Sequence, residues 1–255
     1  MENAGLAETD LSLELQGITK QFGGLTAVDD VTLRLGQGER RGILGPNGAG
    51  KTTLFHLITG VLPPTSGKVI LFGQDVSEWN THRRIALGMS RTFQITSLFP
   101  RLSLLDNVLL AVQGLRKMKM VMFKPLSKFR GVYEKAEMLL TQAGFWELRG
   151  QEVRNLSHGE QRQLEIVLAL ASDPKVLLLD EPSAGLATGE SHEMAEFLKS
   201  LDSEIAILII EHDLDVIFEV ATHISVLHYG KLLTEGPADQ IRNDPQVQEI
   251  YLGQG

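Results

Sequence analysis

The sequence predicts an α/β fold with a parallel sheet, an antiparallel β subdomain and a helical insert. Polar and apolar residues alternate in "LSLEL" and "VTLRL", which is typical of antiparallel strands with one buried face. "VLLLD" and "IAILIIEHD" are instead continuous apolar runs ending in acidic or His residues, a pattern typical of parallel strands buried on both faces. Residues 95–155 are rich in Leu, Met, Lys and Arg, which predicts a mainly helical segment.

Near the C-terminus, "HISVLHYGKLLTEG" contains a Tyr-Gly-Lys break between two apolar runs and predicts a β-hairpin. A short helix is expected from Pro237 onward. The predicted domain organisation has three parts: residues 1–93 hold the β-layer and the first part of the core, residues 94–156 the helical insert, and residues 157–255 the rest of the core.

The composition limits the class of protein. A chain of 255 residues with 43% apolar residues can bury a full core. A formal net charge of -8 argues against nucleic acid as a partner. The chain has no Cys, which excludes thiolate metal sites and Cys nucleophiles and suits a reducing compartment. The N-terminal "MENAGLAETD" lacks the features of a secretion signal, and the longest apolar runs fall short of the roughly 20 residues that cross a bilayer.

The strongest local signal is "GPNGAGKTT", which follows a short apolar stretch and precedes a helical one. This spacing matches the phosphate-binding loop, whose glycines let successive backbone N–H groups converge on phosphate oxygens. The predicted nucleotide-binding residues are Gly45, Pro46, Asn47, Gly48, Ala49, Gly50, Lys51, Thr52 and Thr53. Lys51 is expected to pair with the β- and γ-phosphates, and the Thr52 hydroxyl is expected to bind Mg²⁺.

"VLLLDEP" supplies two carboxylates at the end of a buried strand. Asp180 is the expected second Mg²⁺ residue, acting through water. Glu181 follows directly, where its carboxylate can orient the attacking water or accept its proton. The residues therefore predict a nucleotide with β- and γ-phosphates, bound together with Mg²⁺, as the cofactors.

In their order along the chain, these motifs resemble the ATP-binding subunits of ABC transporters. Further matches are "RTFQ", "LSHGEQ", "PSAGLA" and "IIEHD". The resemblance implies that Gln94 contacts Mg²⁺ and the region of the attacking water, that His212 contacts the γ-phosphate, and that Phe22 stacks on adenine. The chain departs from the family pattern at His158, Glu160 and Ala187.

The stretch "LSHGEQ" also predicts the N-terminus of a helix. Ser157 and Glu160 have the spacing of a capping box at a helix N-terminus. Gly159 in the first turn is expected to leave backbone N–H groups uncovered, and an uncovered helix N-terminus attracts anions. The resemblance implies that Ser157 and Gly159 bind the γ-phosphate of ATP held by a second subunit.

Within the family, three stretches look most like subunits that energise import of branched-chain amino acids: "LSHGEQRQLEI", "IIEHDLDVIFEVATHISVLHYGKLLTEG" and the C-terminal "VQEIYLGQG". Importers of urea or amides and lipid or lipopolysaccharide transporters are the alternatives, and a soluble ATPase acting on DNA or ribosomes is a further one. The implied partners are a second ATP-binding subunit, membrane permease subunits and, indirectly, a substrate-binding protein. The implied location is cytoplasmic, at the inner face of the membrane.

From Leu115 to Arg130 the chain carries six basic residues and no acidic one, although the whole chain is acidic. A solvated basic helix is one interpretation of this stretch. The interleaved Met, Val and Phe favour a second one, in which Lys117, Lys119 and Lys124 help to hold the subunit near the membrane or its partner.

Overall fold

The computed structural model describes residues 11–92, 98–114 and 130–252. The strands are β1 (Leu11–Phe22), β2 (Leu25–Gly36), β3 (Arg40–Leu44), β4 (Ser66–Leu71), β5 (Gln74–Asp75), β6 (Met89–Arg91), β7 (Val176–Asp180), β8 (Ala206–Ile210), β9 (His223–His228) and β10 (Lys231–Pro237). The α-helices are α1 (Lys51–Thr59), α2 (Thr81–Leu87), α3 (Leu104–Gly114), α4 (Arg130–Gln142), α5 (His158–Leu170), α6 (Thr188–Ser200), α7 (Leu214–Val220), α8 (Ala238–Arg242) and α9 (Pro245–Leu252).

The N-terminal strands form an antiparallel sheet in the order β2-β1-β4-β5. Leu13 and Leu15 of β1 are buried opposite Leu35 and Leu33 of β2, while Glu14 between them lies on the outer face. The alternation in the sequence therefore predicted this subdomain correctly, because side chains along a strand point to opposite faces with a period of two.

The central sheet has the order β10-β9-β3-β8-β7-β6, and the strands from β9 to β6 pair in parallel. Alternate residues of β8 enter different cores: Ile207 and Ile209 pack with the helices, whereas Ala206 and Leu208 pack towards α1 and the antiparallel sheet. Full burial of an Ile or Leu side chain contributes about 1.5–3 kcal/mol. The continuous apolar runs are thus explained by burial on both faces, as predicted.

Helices α3, α4 and α5 pack together beside the central sheet. The rings of Tyr133 and Trp146 pack edge to face, with their centres 6.1 Å apart. The prediction of a helical segment is confirmed for its described parts. Gln94 and the lysines of the basic stretch lie outside the described residues, so their roles stay predictions. The boundaries of the three predicted parts stay predictions as well.

The register of the parallel strands brings the predicted motifs to one sheet edge. Ile43 of β3 and Asp180 of β7 both pair with Ile210 of β8, so these three strands end at the same level. The loops that follow them carry the phosphate-loop sequence, Glu181 and His212.

The C-terminal hairpin is confirmed by the antiparallel pairing of β9 with β10, and α8 follows Pro237. In the described ranges, no helix combines the length and apolarity that a membrane span requires.

Candidate nucleotide-binding site

The loop from Gly45 to Gly50 connects β3 to α1 and depends on glycine for its shape. Gly50 has φ of 100°, and a Cβ atom there would lie 2.4 Å from the carbonyl oxygen of Ala27. Helix α1 has no side-chain cap at its N-terminus and no acidic residue in its first turn. Its first N–H groups and the positive end of its dipole are therefore available to an anion.

Lys51 begins α1, and its side chain folds back over the loop. Its Nζ donates to the carbonyl oxygens of Gly45 at 2.6 Å and Pro46 at 3.1 Å, and the residue is only 6% exposed. Burial lowers the pKa of Lys51, while the nearby carboxylates of Glu181 and Asp180 raise it. The ammonium group is thus held at the mouth of the loop, where it can exchange carbonyl contacts for phosphate oxygens.

Asp180 ends β7 with only 8% of its surface exposed, and its Oδ2 has no hydrogen-bond partner among the described residues. Burial and the neighbouring Glu181 raise the pKa of Asp180, whereas Arg91, His56 and His212 lower it. An unpartnered buried carboxylate oxygen is costly unless a cation satisfies it. Thr52 lines the cleft beside the phosphate loop, and its hydroxyl and the Asp180 carboxylate are hard oxygen donors of the kind that Mg²⁺ prefers.

Glu181 and His212 follow neighbouring strands and meet at the sheet edge. Glu181 Oε1 lies 2.6 Å from His212 Nε2, and both side chains are partly exposed. Glu181 has φ of 50°, a left-handed conformation that non-glycine residues rarely adopt, and its N–H donates to the carbonyl oxygen of Ile210. Residues held in such conformations cluster at functional sites.

Glu211 is a residue whose role the sequence analysis missed. It is 2% exposed, and its Oε1 accepts hydrogen bonds from the backbone N–H and the hydroxyl of Ser183, at 2.8 and 2.7 Å. Its Oε2 accepts from the N–H of His212. Glu211 therefore ties the loop after Glu181 to the loop that carries His212. The sequence pattern that could have indicated this role is an acidic residue directly after the apolar run "IAILII".

The cleft between these loops has a volume of about 390 Å³. The loop residues from Asn47 to Thr53 line it, together with Glu181, His212 and the segments 25–27 and 229–230. Phe22, expected to stack on adenine, lies at the end of β1 and is 46% exposed, but it does not line this cleft. Its predicted role stays a prediction.

The N-terminus of α5 has the predicted capping box, with Ser157 accepting from the N–H of Glu160 and the Glu160 side chain accepting from the N–H of Ser157. The expectation that Gly159 leaves its N–H uncovered is wrong for this structure. Glu190 of α6 lies against Gly159, and its Oε1 accepts from that N–H at 3.4 Å. Hydrogen bonds from the backbone of Ala187, the Ser157 side chain and the Gly159 backbone lower the pKa of Glu190.

Neither Ser157 nor Gly159 lines the cleft that the phosphate loop of the same chain forms. A carboxylate on this helix terminus competes for the place that an anion would take. The local sequence could not indicate this contact, because Glu190 lies 31 positions further along the chain.

The fold and the site together define an ATPase of the phosphate-loop class, with a glycine-rich loop before α1, a buried carboxylate and a carboxylate-histidine pair at one sheet edge. The family model of the ABC transporter matches residues 28–184, and the model of the branched-chain amino acid ATP-binding cassette transporter matches residues 231–255. The chain therefore belongs to the ABC transporter family, as one of its ATP-binding cassettes.

The high-affinity branched-chain amino acid transport ATP-binding protein BraF of Pseudomonas aeruginosa is 34% identical over 95% of this chain and 98% of its own. The corresponding protein LivG of Escherichia coli is 36% identical over 95% and 98%. The lipopolysaccharide export system ATP-binding protein LptB of Acidithiobacillus ferridurans is 35% identical over 94% and 96%. An ABC transporter ATP-binding cassette in its ADP conformation superposes with a TM-score of 0.83 at 30% identity, covering 95% of this chain and 99% of that one.

Proposed function

We propose that this chain is the ATP-hydrolysing subunit that powers an importer of branched-chain amino acids. The observation that carries the cargo assignment is the match of residues 231–255 to the branched-chain family model. Overall identity does not separate the cargoes, because BraF and LptB are about equally similar to this chain. The C-terminal match favours branched-chain amino acids over the urea, amide and lipid alternatives.

We propose the following roles for the site residues. The N–H groups at the start of α1 and the Lys51 ammonium hold the β- and γ-phosphates, and Thr52 and Asp180 hold Mg²⁺. When bound, Mg²⁺ neutralises developing charge on the phosphate oxygens. The carboxylate of Glu181 orients the attacking water and accepts its proton, while His212 contacts the γ-phosphate. Gln94 has a predicted role beside Mg²⁺ and the water.

We further propose that two such subunits act together, because the N-terminus of α5 does not line its own cleft. A second subunit, identical or related, would place its Ser157 and Gly159 against the γ-phosphate of the first. Glu190 must then leave Gly159 before the phosphate can approach. Binding of two ATP molecules would close the dimer, and hydrolysis would reopen it.

A groove between β6, α3 and α5 is proposed as the contact site for a cytoplasmic segment of the permease. It has a volume of about 450 Å³ and is lined mostly by apolar atoms, with Phe99 and Leu110 exposed at its rim. Glu165 lines the same groove, and its Oε1 has no partner in the described part of the chain. The subunit would thus lie at the cytoplasmic face of the membrane. A substrate-binding protein would be linked to it only through the permease. We propose no nucleic acid partner.

The central experiment separates binding from chemistry. Lys51→Ala should lose most of its MgATP affinity, since the main cation on the β- and γ-phosphates is removed. Glu181→Gln keeps the side-chain shape, so it should bind MgATP, hydrolyse it far more slowly and accumulate as a dimer on gel filtration. Unchanged turnover by Glu181→Gln would contradict the assigned role of Glu181.

Cargo is tested by complementation in the source cells. Deletion of the gene should abolish uptake of radiolabelled leucine, isoleucine and valine. The wild-type protein should restore that uptake, and Glu181→Gln, expressed at the same level, should not. Retained uptake of all three amino acids in the deletion strain would contradict the cargo assignment and leave the ATPase assignment intact.

A further inference from the structure

Tyr229 occupies a strained and exposed position at the tip of the hairpin between β9 and β10. His228 pairs with Lys231, so the turn has two central residues, and both have positive φ: 47° at Tyr229 and 79° at Gly230. This turn favours Asn, Asp or Gly at its first central position. Tyr229 is 82% exposed, so burial of its ring does not offset the unfavourable backbone conformation. A strained residue of this kind points to a function.

The turn is fixed against the phosphate loop by backbone hydrogen bonds. The N–H of Gly230 donates to the carbonyl oxygen of Ala49 at 2.9 Å, and the N–H of Asp29 donates to the carbonyl oxygen of Gly230 at 2.8 Å. Lys231 Nζ lies 3.2 Å from Asp29 Oδ2 and adds an ion pair at the base of the turn. Tyr229 is therefore carried on a turn that is hydrogen-bonded directly to the phosphate loop.

Tyr229 also lines the cleft that contains Lys51, Thr52, Glu181 and His212. These polar residues mark the phosphate end of the cleft. Among the described residues that line the cleft, Tyr229 is the only Phe, Tyr or Trp. Phe22 does not line it. One face of the Phe22 ring is instead approached by Lys20 Nζ, 5.3 Å from the ring centre.

We propose that Tyr229 packs its ring against the base of the bound nucleotide and so contributes to affinity for nucleotides. Every nucleobase has a π-face on which an aromatic ring can stack. A ring on a fixed turn loses little conformational freedom when it does so. This inference rests on the proposed ATP site, and it assigns the hairpin between β9 and β10 to the wall that holds the base.

The test compares ligands with and without a base. MgADP and magnesium pyrophosphate are titrated calorimetrically, because neither undergoes turnover in which Glu181 could take part. Tyr229→Ala should weaken MgADP binding about tenfold, a typical loss for one base-aromatic contact. It should leave magnesium pyrophosphate binding unchanged, and Tyr229→Phe should bind MgADP like the wild type.

A further variant separates this role from a structural one. Tyr229→Asn should keep or raise the melting temperature, because Asn suits the turn, and should still weaken MgADP binding about tenfold. Unchanged MgADP affinity in both Tyr229→Ala and Tyr229→Asn would overturn the inference. So would a variant that binds MgADP normally but dimerises poorly with MgATP, since the ring would then contact the second subunit.

The matched control is Lys51→Ala, which should lose affinity for both MgADP and magnesium pyrophosphate. If the wild type fails to bind MgADP, the proposed ATP site itself is wrong. If the wild type binds and Lys51→Ala does not, while the Tyr229 variants bind normally, only the role of Tyr229 is wrong.

Discussion

Arg84 is a buried cation that holds the end of helix α1 opposite the phosphate loop. Its guanidinium group donates to the carbonyl oxygens of Leu57 at 2.7 Å, Ile58 at 2.6 Å, Trp79 at 3.0 Å and Ser77 at 3.1 Å. Arg84 is 0% exposed, and burial lowers its pKa to about 10. Leu57 and Ile58 belong to the last turn of α1, whose carbonyl groups lack the partners of a continuing helix, and the Leu57 carbonyl also accepts from the N–H of Gly60 at 3.3 Å.

Arg84→Met should destabilise the fold by about 3 kcal/mol. A hydrogen bond to a charged group contributes about 1.5–3 kcal/mol net, so the two bonds to the last turn of α1 represent about 3–6 kcal/mol. Removing the buried charge recovers part of a desolvation cost of several kcal/mol. In a domain of this size, the net loss should lower the melting temperature by about 6–12 °C.

The assay is thermal unfolding followed by circular dichroism, with urea unfolding as a second measure of stability. Arg83→Met is the matched control, because Arg83 is the exposed neighbour on the same helix and contacts the Trp79 ring at 4.2 Å. It should cost about 0.5–1 kcal/mol. Arg84→Lys should fall between wild type and Arg84→Met, since one ammonium group cannot reach all the carbonyls. If Arg84→Met and Arg83→Met melt within about 2 °C of each other, the proposed role of Arg84 is refuted.

Two further predictions concern the N-terminus of α5. Ser157→Ala removes one side of the capping box and should lower stability by about 1 kcal/mol in thermal unfolding, with MgADP affinity unchanged. A loss of MgADP affinity would show that Ser157 serves the cleft of its own chain. Glu190→Gln weakens the carboxylate on Gly159, so in the Glu181→Gln background it should dimerise at a lower MgATP concentration, measured by light scattering. Glu193→Gln on the same helix is the control, and equal dimerisation of the two variants would contradict the gating role of Glu190.

Glu190 contacts Ala187, one of the residues at which the chain departs from the family pattern. Ala187 precedes α6 and offers no side-chain cap to it, and the backbone N–H of Ala187 donates to Glu190 Oε2 at 3.2 Å. The same carboxylate contacts Gly159 through Oε1. One side chain therefore links the N-termini of α5 and α6.

The parts of the fold and site that were predictable from the sequence depend on neighbours along the chain. Alternation in β1 and β2, the continuous apolar runs of β7 and β8, and the capping box at Ser157 each involve residues a few positions apart. The phosphate loop belongs to the same group, because its glycines and Lys51 act within one strand-loop-helix unit. For such features, backbone geometry and side-chain periodicity alone limit the possible structures.

Only the tertiary structure decided which of these residues meet across the fold. The contact of Glu181 with His212, the anchoring of α1 by Arg84, the carboxylate of Glu190 on Gly159 and the position of Tyr229 beside the phosphate loop all join distant parts of the chain. The sequence by itself determined that phosphate-binding and carboxylate groups are present. Strand order and register decided their distances, because residues far apart in sequence are brought together by packing that no local pattern encodes.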